Sequence, residues 1–265
     1  MKQLLLDQTK LKCFLECERK YYWRFHKHLV NISTPNYFAV GKAVHSAIQL
    51  INTDETDRAL IELLQDTELE VSDKELVATI CEKYIENNPI KRLNIKLIRQ
   101  EKVLTRNISK NCIFAGRLDG IGYFNDRIHI IEYKTTKTLS ETYKNSFLND
   151  IQLTAYQWLL SKLYKDIGIL IVFIPKIASG NITVQPYLRT TKQISDFRGL
   201  VHNVFLRLSN KQGKKDYLQS LSACGGNFPT FFPCAYLPLC NCNGITKDIV
   251  RLLYKKFIWS PFESI

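Results

Sequence analysis

The chain has 265 residues, 45% of them hydrophobic and 23% charged, with 37 Lys and Arg against 25 Asp and Glu for a net charge of +12. That length supports a substantial core in one large or two small domains, and the basic balance favours a polyanionic partner, nucleic acid before an anionic membrane surface. No apolar run reaches the roughly 18 residues of a membrane span. The start MKQLLLDQTKLKCF lacks the apolar stretch and cleavage site of a signal peptide, so a cytoplasmic protein is expected.

Residues 8–30 carry apolar and aromatic positions at helical spacing and predict one helix. Tyr21, Tyr22, Trp23 and Phe25 read as its core stripe. Arg19, Lys20, Arg24 and Lys27 read as a solvated face that is open to phosphates. Ser, Thr and Pro between Asn31 and Asn36 break it. Phe38 to Ile51 predicts a second, strongly apolar helix, with Gly41 and His45 four apart on one face. Gly41 would admit another backbone closely, and His45 by itself reads as an interior histidine. Residues 54–90 predict a helical, acidic insert or cap without obvious chemistry, closed by Pro89. Asn94 to Arg106 alternates as a strand that contains Glu101.

A β-hairpin follows: Ile113 to Phe124, the turn residues Asn125 and Asp126, then Arg127 to Tyr133. Along the second strand Glu132 and Lys134 share a face and Tyr133 takes the other, and pairing can bring Asp119 alongside them. Residues 137–149 read as a polar, helix-poor loop. Asp150 to Tyr164 predicts an amphipathic helix with Gln152 and Tyr156 on one face. Strands are expected over Ile167 to Ile174 and Asn181 to Tyr187, and a helix over Thr191 to Leu208. A basic loop with Lys211, Lys214 and Lys215 leads to a Cys-bearing loop at 224–242 and a last helix from Thr246 to Ile258. There is no internal repeat, low-complexity tract or Walker A pattern. The order predicts an α/β fold: a central mixed β-sheet flanked by helices, with N-terminal helices and a C-terminal Cys-bearing loop.

Two carboxylates and an ammonium at one end of a sheet are costly to leave uncompensated. A divalent cation on Asp119 and Glu132, with Lys134 near a substrate anion, resolves that cost. An isolated D…ExK also fits an ordinary half-exposed hairpin, so its company matters. Eight cysteines in a reducing compartment point to metal ligation rather than disulfides. Cys81 and Cys112, alone in apolar surroundings, read as packing residues.

Gly41-xxx-His45, Gly116-Arg117-Leu118-Asp119, Glu132-Tyr133-Lys134 and Gln152-xxx-Tyr156 occur in that order between residues 41 and 156, within a resemblance that covers about residues 8–242. In this the chain resembles the PD-(D/E)XK nuclease superfamily, specifically its RecB-like branch, which includes CRISPR-associated exonucleases and the AddB nuclease domain. The resemblance implies a restriction-endonuclease-like core spanning residues 1–265 as one domain. It also implies a metal-dependent deoxyribonuclease that is exonuclease-like on single strands or duplex ends; a catalytically inactive nucleic-acid-binding module of the same fold is the alternative. Asp119 and Glu132 would ligate Mg²⁺ or Mn²⁺ together with His45 and the Tyr133 carbonyl. Lys134 would orient or activate the attacking water, and Gln152 and Tyr156 would position the strand and Lys134. Glu101 could match a further acid that some members carry. With no Walker A pattern, the chain either acts alone or borrows a motor from a partner such as a helicase or a recombination or CRISPR protein.

The same resemblance implies a [4Fe–4S] cluster on Cys17, Cys224, Cys234 and Cys240, with the 224–242 loop packed on the N-terminal helix. Zn²⁺ is the alternative occupant and Cys242 the alternative to Cys224. The sequence departs from the family pattern at two points. Glu18 stands where a Pro is usual, and Phe231 stands where a Cys is usual.

Overall fold

The computed structural model describes residues 3–32, 37–177, 180–225, 233–241 and 247–262. They form two compact units. One comprises Met1–Thr34, Thr105–Ala115 and Ser195–Ser264, the other Pro35–Leu104 and Gly116–Ile194. In chain order the elements are β1 (Leu4–Leu6), α1 (Gln8–Glu16), α2 (Glu18–Tyr21), β2 (Leu29–Asn31), α3 (Tyr37–Ile51), α4 (Thr56–Gln65), α5 (Val71–Glu86) and α6 (Pro89–Arg92). There follow β3 (Lys96–Ser109), β4 (Cys112–Phe124), β5 (Arg127–Thr136), α7 (Glu141–Asn145), α8 (Ile151–Leu160), β6 (Gly168–Pro175) and β7 (Thr183–Tyr187). The chain continues through α9 (Thr191–Ser209), α10 (Leu237–Asn241), α11 (Lys247–Leu253) and β8 (Tyr254–Lys256). The expected α/β fold with a mixed sheet and flanking helices is present.

In the second unit the strand order is β4–β5–β6–β7. The β4–β5 hairpin turns at Asn125 and Asp126, both with positive φ (49° and 56°), a conformation these two residue types adopt more readily than most. β5 and β6 are parallel, His129↔Gly168 through Thr136↔Pro175, and β6 and β7 are antiparallel. β6 (GILIVFIP) is buried along nearly its whole length, as a central strand covered on both faces must be. One face packs Ile131, Tyr133, Leu170, Val172 and Ile174 against α3, α4 and α5 through Val44, Ile48, Val77, Ile80 and Tyr84. The insert predicted at 54–90 is therefore two helices closing this core, and Pro89 opens the short helix α6 rather than ending the segment. α8, capped by Asp150, lies along β4, where a Cβ on Gly116 would stand 2.7 Å from Leu159 and 3.0 Å from Tyr156. Only glycine lets the helix this close.

Residues 137–149 are not helix-poor. Ser140 caps α7, a 3₁₀ turn follows at Ser146–Asn149, and Phe147 is buried. Buried Arg189 anchors the segment by donating to the Phe147 carbonyl (2.7 Å) and to Thr154 Oγ1 (2.9 Å). Charge-assisted bonds from Arg189 outweigh the polar composition that suggested a loop.

In the first unit β1 pairs in parallel with the start of β4, Leu4↔Cys112 through Leu6↔Phe114. The single helix expected at 8–30 is instead three pieces. α1 stops at Cys17, which is extended (φ −161°, ψ 115°); α2 follows, and Tyr22–His26 forms a π turn closed by Lys27 N–H on the Tyr22 carbonyl. The break is made by distant chain: Arg19 N–H donates to the Leu218 carbonyl, and the Glu18 carboxylate accepts from Lys211, Arg207 and the Leu218 N–H. Tyr21, Tyr22, Trp23 and Phe25 are buried, as the core reading expected. The last predicted helix ends at Leu253, and Tyr254–Lys256 is a strand antiparallel to Leu29–Asn31. Thr246, where that helix was expected to begin, lies outside the described residues. Among the described residues no helix is long and apolar enough to cross a membrane.

Candidate active site

The residues singled out around the hairpin, His45, Asp119, Glu132, Tyr133, Lys134, Gln152 and Tyr156, all fall in the second unit. Strand pairing between β4 and β5 is recorded as far as Gly120↔Ile131, a register that sets Asp119 level with Glu132. There the Tyr133 N–H donates to Asp119 Oδ2 at 3.0 Å. Asp119 thus takes a main-chain donor at the end of the hairpin, where a carboxylate can face an opening between strands.

On the same face Lys134 Nζ contacts Glu132 Oε1 at 2.6 Å and Gln152 Oε1 at 2.9 Å. Gln152 Nε2 donates to Glu132 Oε1 (2.8 Å) and lies 3.0 Å from Tyr156 Oη. One carboxylate oxygen, one ammonium and one amide close a triangle, and the i,i+4 spacing on α8 lets Tyr156 brace the amide. The second oxygen of Glu132 has no hydrogen-bond partner, in a residue only 1% exposed. A buried carboxylate oxygen that no protein group satisfies is suited to accept a cation.

The electrostatics agree. Burial first, then the neighbouring Asp119, pushes the Glu132 carboxyl up to about 7. Burial likewise raises Asp119 to about 6 against the pull of Lys134. Lys134 is drawn down by burial but held above its ordinary value by Glu132 and Asp119, so it is an ammonium at neutral pH. His45 Nδ1 is 3.6 Å from Asp119 Oδ2, and its ring bonds the Tyr133 carbonyl. Burial, and then Lys134, lowers its pKa and leaves a neutral imidazole. An acid whose pKa folding raises binds its proton more tightly in the folded state. Its contribution therefore favours folding below its ordinary pKa and is lost as pH climbs through the raised value. In metal-free buffer the contribution of this pair should decline between about pH 4 and about pH 7. Melting curves in EDTA across that range should show Asp119→Asn gaining on the wild type as pH rises. A constant gap between the two would contradict the assignment.

Glu101 lies nearby, paired with Arg117 Nε at 2.8 Å and Gln49 Nε2 at 2.6 Å, and its charge adds to the upward shift of Asp119. Gly41 was expected to admit another backbone. What it faces instead are side chains, Thr135 Oγ1 and Lys176 Nζ. Sequence reasoning missed a buried polar group behind the site, in which Asn52 Nδ2 donates to Tyr133 Oη (2.9 Å) and Tyr84 Oη to Asn52 Oδ1 (3.1 Å). The only signal was a polar residue directly after the apolar run of α3.

Can this site hold a divalent cation? Among the described residues no three His, Cys, Asp or Glu side chains form a group ready to hold a metal ion. Mg²⁺, however, is ordinarily held by one or two carboxylates plus water and substrate phosphate rather than by an all-protein cage. Two carboxylates, one with an orphaned oxygen, fit that requirement.

In the first unit Cys17, Cys224, Cys234 and Cys240 are free thiols. Cys17 Sγ accepts from the Ser220 N–H (3.4 Å), Cys224 Sγ lies 3.3 Å from the Ser220 carbonyl, and the Cys234 N–H donates to the Cys224 carbonyl (3.0 Å). Burial raises the Cys234 and Cys240 thiols, and Cys17 is near enough to add to both shifts. Cys17 sits against the segment that leads into the loop, but among the described residues no three of these thiols form a group ready to hold a metal ion. Cys242 and Phe231 lie outside the described residues.

The sequence profile of the PD-(D/E)XK nuclease superfamily matches residues 6–241. The chain belongs to that superfamily. It therefore belongs to a family of nucleases, which are hydrolases and generally use divalent metals. No curated protein matches the chain. Among solved structures it is similar to a “putative exonuclease” from Eubacterium rectale, with a TM-score of 0.62 and 11% identity over 94% of this chain and 92% of that one, a likeness of fold. The protein SSO0001, with a TM-score of 0.34 and 17% identity over 65% of this chain and 76% of that one, is too distant in shape to carry an argument.

Proposed function

We propose that the chain is a Mg²⁺- or Mn²⁺-dependent deoxyribonuclease of the RecB-like branch that hydrolyses phosphodiester bonds at single-stranded or duplex ends. The observation that carries this reading is the buried Asp119–Glu132 pair, with one oxygen unsatisfied and Lys134 fixed beside it. Asp119 and Glu132, with His45 and the Tyr133 carbonyl, would hold the cation, which supplies Lewis-acid polarisation of the scissile phosphate and a more acidic bound water. Lys134, kept protonated by both carboxylates, acts as a cation: it orients the water and offsets charge on the phosphorane-like transition state. Gln152 fixes Lys134 and Tyr156 fixes Gln152. The +12 charge suits a DNA substrate. The chain would act alone or with a motor supplied by a partner, a helicase or a recombination or CRISPR protein.

A structural [4Fe–4S] cluster on Cys17, Cys224, Cys234 and Cys240, or zinc in its place, rests on the family resemblance, since among the described residues these thiols do not form a group ready to hold a metal ion. Anaerobic purification should give a brown protein with about four irons per chain; a colourless preparation that carries zinc would assign the thiols to zinc.

The test of activity is incubation of end-labelled linear and circular DNA, single- and double-stranded, with Mg²⁺ or Mn²⁺. Linear substrates should be degraded only with metal, while circles survive. Binding of DNA without cleavage by either ion would establish the inactive binding module instead.

A further inference from the structure

Gly41 stands one helical turn before His45 on α3, and a Cβ placed there would lie 3.3 Å from Thr135 Oγ1 and 3.4 Å from Lys176 Nζ. Thr135 directly follows Lys134 on β5. Lys176 follows the last residue of β6, and its N–H donates to the Thr136 carbonyl at 2.7 Å. A hydroxyl and an ammonium therefore converge on one point on the α3 side of the sheet, the face that Tyr133 shares, one turn of α3 from His45 and at the carboxyl ends of two adjacent parallel strands. Two donors that close to a common point are within reach of a single tetrahedral anion, whose oxygens can accept one bond from each at about 2.8 Å. Lys176 is half-buried; burial and the like charge of Lys137 both depress its pKa, and its own charge reaches His45. An anion bound there would offset the like charge of Lys137. Lys137, whose charge reaches Lys176, is exposed.

We propose that Gly41, Thr135 and Lys176 form a phosphate subsite that binds a backbone phosphate of the DNA strand next to the one being hydrolysed, Gly41 keeping the space clear. The inference rests on the deoxyribonuclease reading above. It assigns to Gly41 a function in substrate binding, where helix propensity alone would favour alanine.

The experiment measures binding of a fluorescent single-stranded oligonucleotide across a salt series, and steady-state cleavage with Mn²⁺, for wild type, Lys176→Gln, Lys176→Arg and Gly41→Ala. Lys176→Gln should weaken binding about tenfold and reduce the log–log salt slope by roughly 0.7, one phosphate contact on a single strand. The loss should fall on KM rather than kcat, and Lys176→Arg should restore most of it. Gly41→Ala should weaken binding while leaving Tm unchanged or higher, an outcome a purely structural role would not give. Unchanged affinity and slope in Lys176→Gln, or unaltered binding in Gly41→Ala, overturns the subsite. If the wild type cuts DNA while these variants match it, the subsite alone fails. A wild type that neither binds nor cuts DNA removes the nuclease reading with it.

Discussion

Asp119→Asn should abolish metal-dependent cleavage, by about 10³-fold or more, and yet melt at a higher temperature than the wild type in EDTA at pH 8. The loss follows from removing one of two carboxylates that hold the cation, with a magnitude like that of deleting a single preorganised electrostatic group. The gain in stability follows from the same geometry. Burial raises Asp119 to about 6, with the charge of Glu101 adding to it, and burial followed by the Asp119 charge raises Glu132 to about 7, so at pH 8 the metal-free fold carries two ionised groups that burial penalises. An asparagine oxygen can still accept the Tyr133 N–H that Asp119 accepts at 3.0 Å, so no donor is orphaned. Relief on the order of 2 kcal/mol would raise Tm by roughly 4–8 °C in a chain of this size. Differential scanning calorimetry in EDTA reads the stability and a labelled-DNA assay the activity. A variant that is both inactive and less stable would mean that Asp119 is a structural residue.

Lys134→Met should have the opposite effect on stability and a similar one on activity. Lys134 is the cation between Glu132 Oε1 and Gln152 Oε1, and its removal leaves two buried carboxylates without it. Breaking a buried pair by deleting one partner typically costs about 3–5 kcal/mol. Here the cost should shrink below about pH 6, where the carboxyls take up protons. Cleavage should drop by about 10²–10³-fold, since a preorganised charge at the transition state is lost. The double variant Lys134→Met, Glu132→Gln should recover most of the stability and none of the activity. A double-mutant cycle with no coupling between the two positions would show that the 2.6 Å contact carries no energy.

The hairpin and its chemistry were legible because their signals are local. Alternation placed Glu132 and Lys134 on one face, Asn125 and Asp126 supplied a turn they can adopt, and the four-residue spacing put Gln152 beside Tyr156. The long N-terminal helix was misread because nothing in residues 8–30 marks the break at Cys17. The break is imposed by Glu18 and Arg19 bonding to residues some 200 positions away. Tyr254–Lys256 likewise becomes a strand only because Leu29–Asn31 offers an edge. The Asn52–Tyr133–Tyr84 group and the meeting of Gly41 with Lys176 are products of tertiary packing, and no spacing in the sequence encodes them. Ser140 ahead of Glu141 was a readable helix start, overlooked in a polar stretch.

The most direct test of the account is calorimetric titration of Mn²⁺ into the metal-free protein at pH 6.5, in two buffers of different ionisation enthalpy. The raised carboxyls predict that binding releases about one proton per ion and that affinity rises with pH, because the ion must displace protons held by Asp119 and Glu132. Binding and proton release should both disappear in Asp119→Asn. Mn²⁺ binding that is absent from the wild type, or that persists unchanged in the variant, would contradict a metal centre on these two carboxylates.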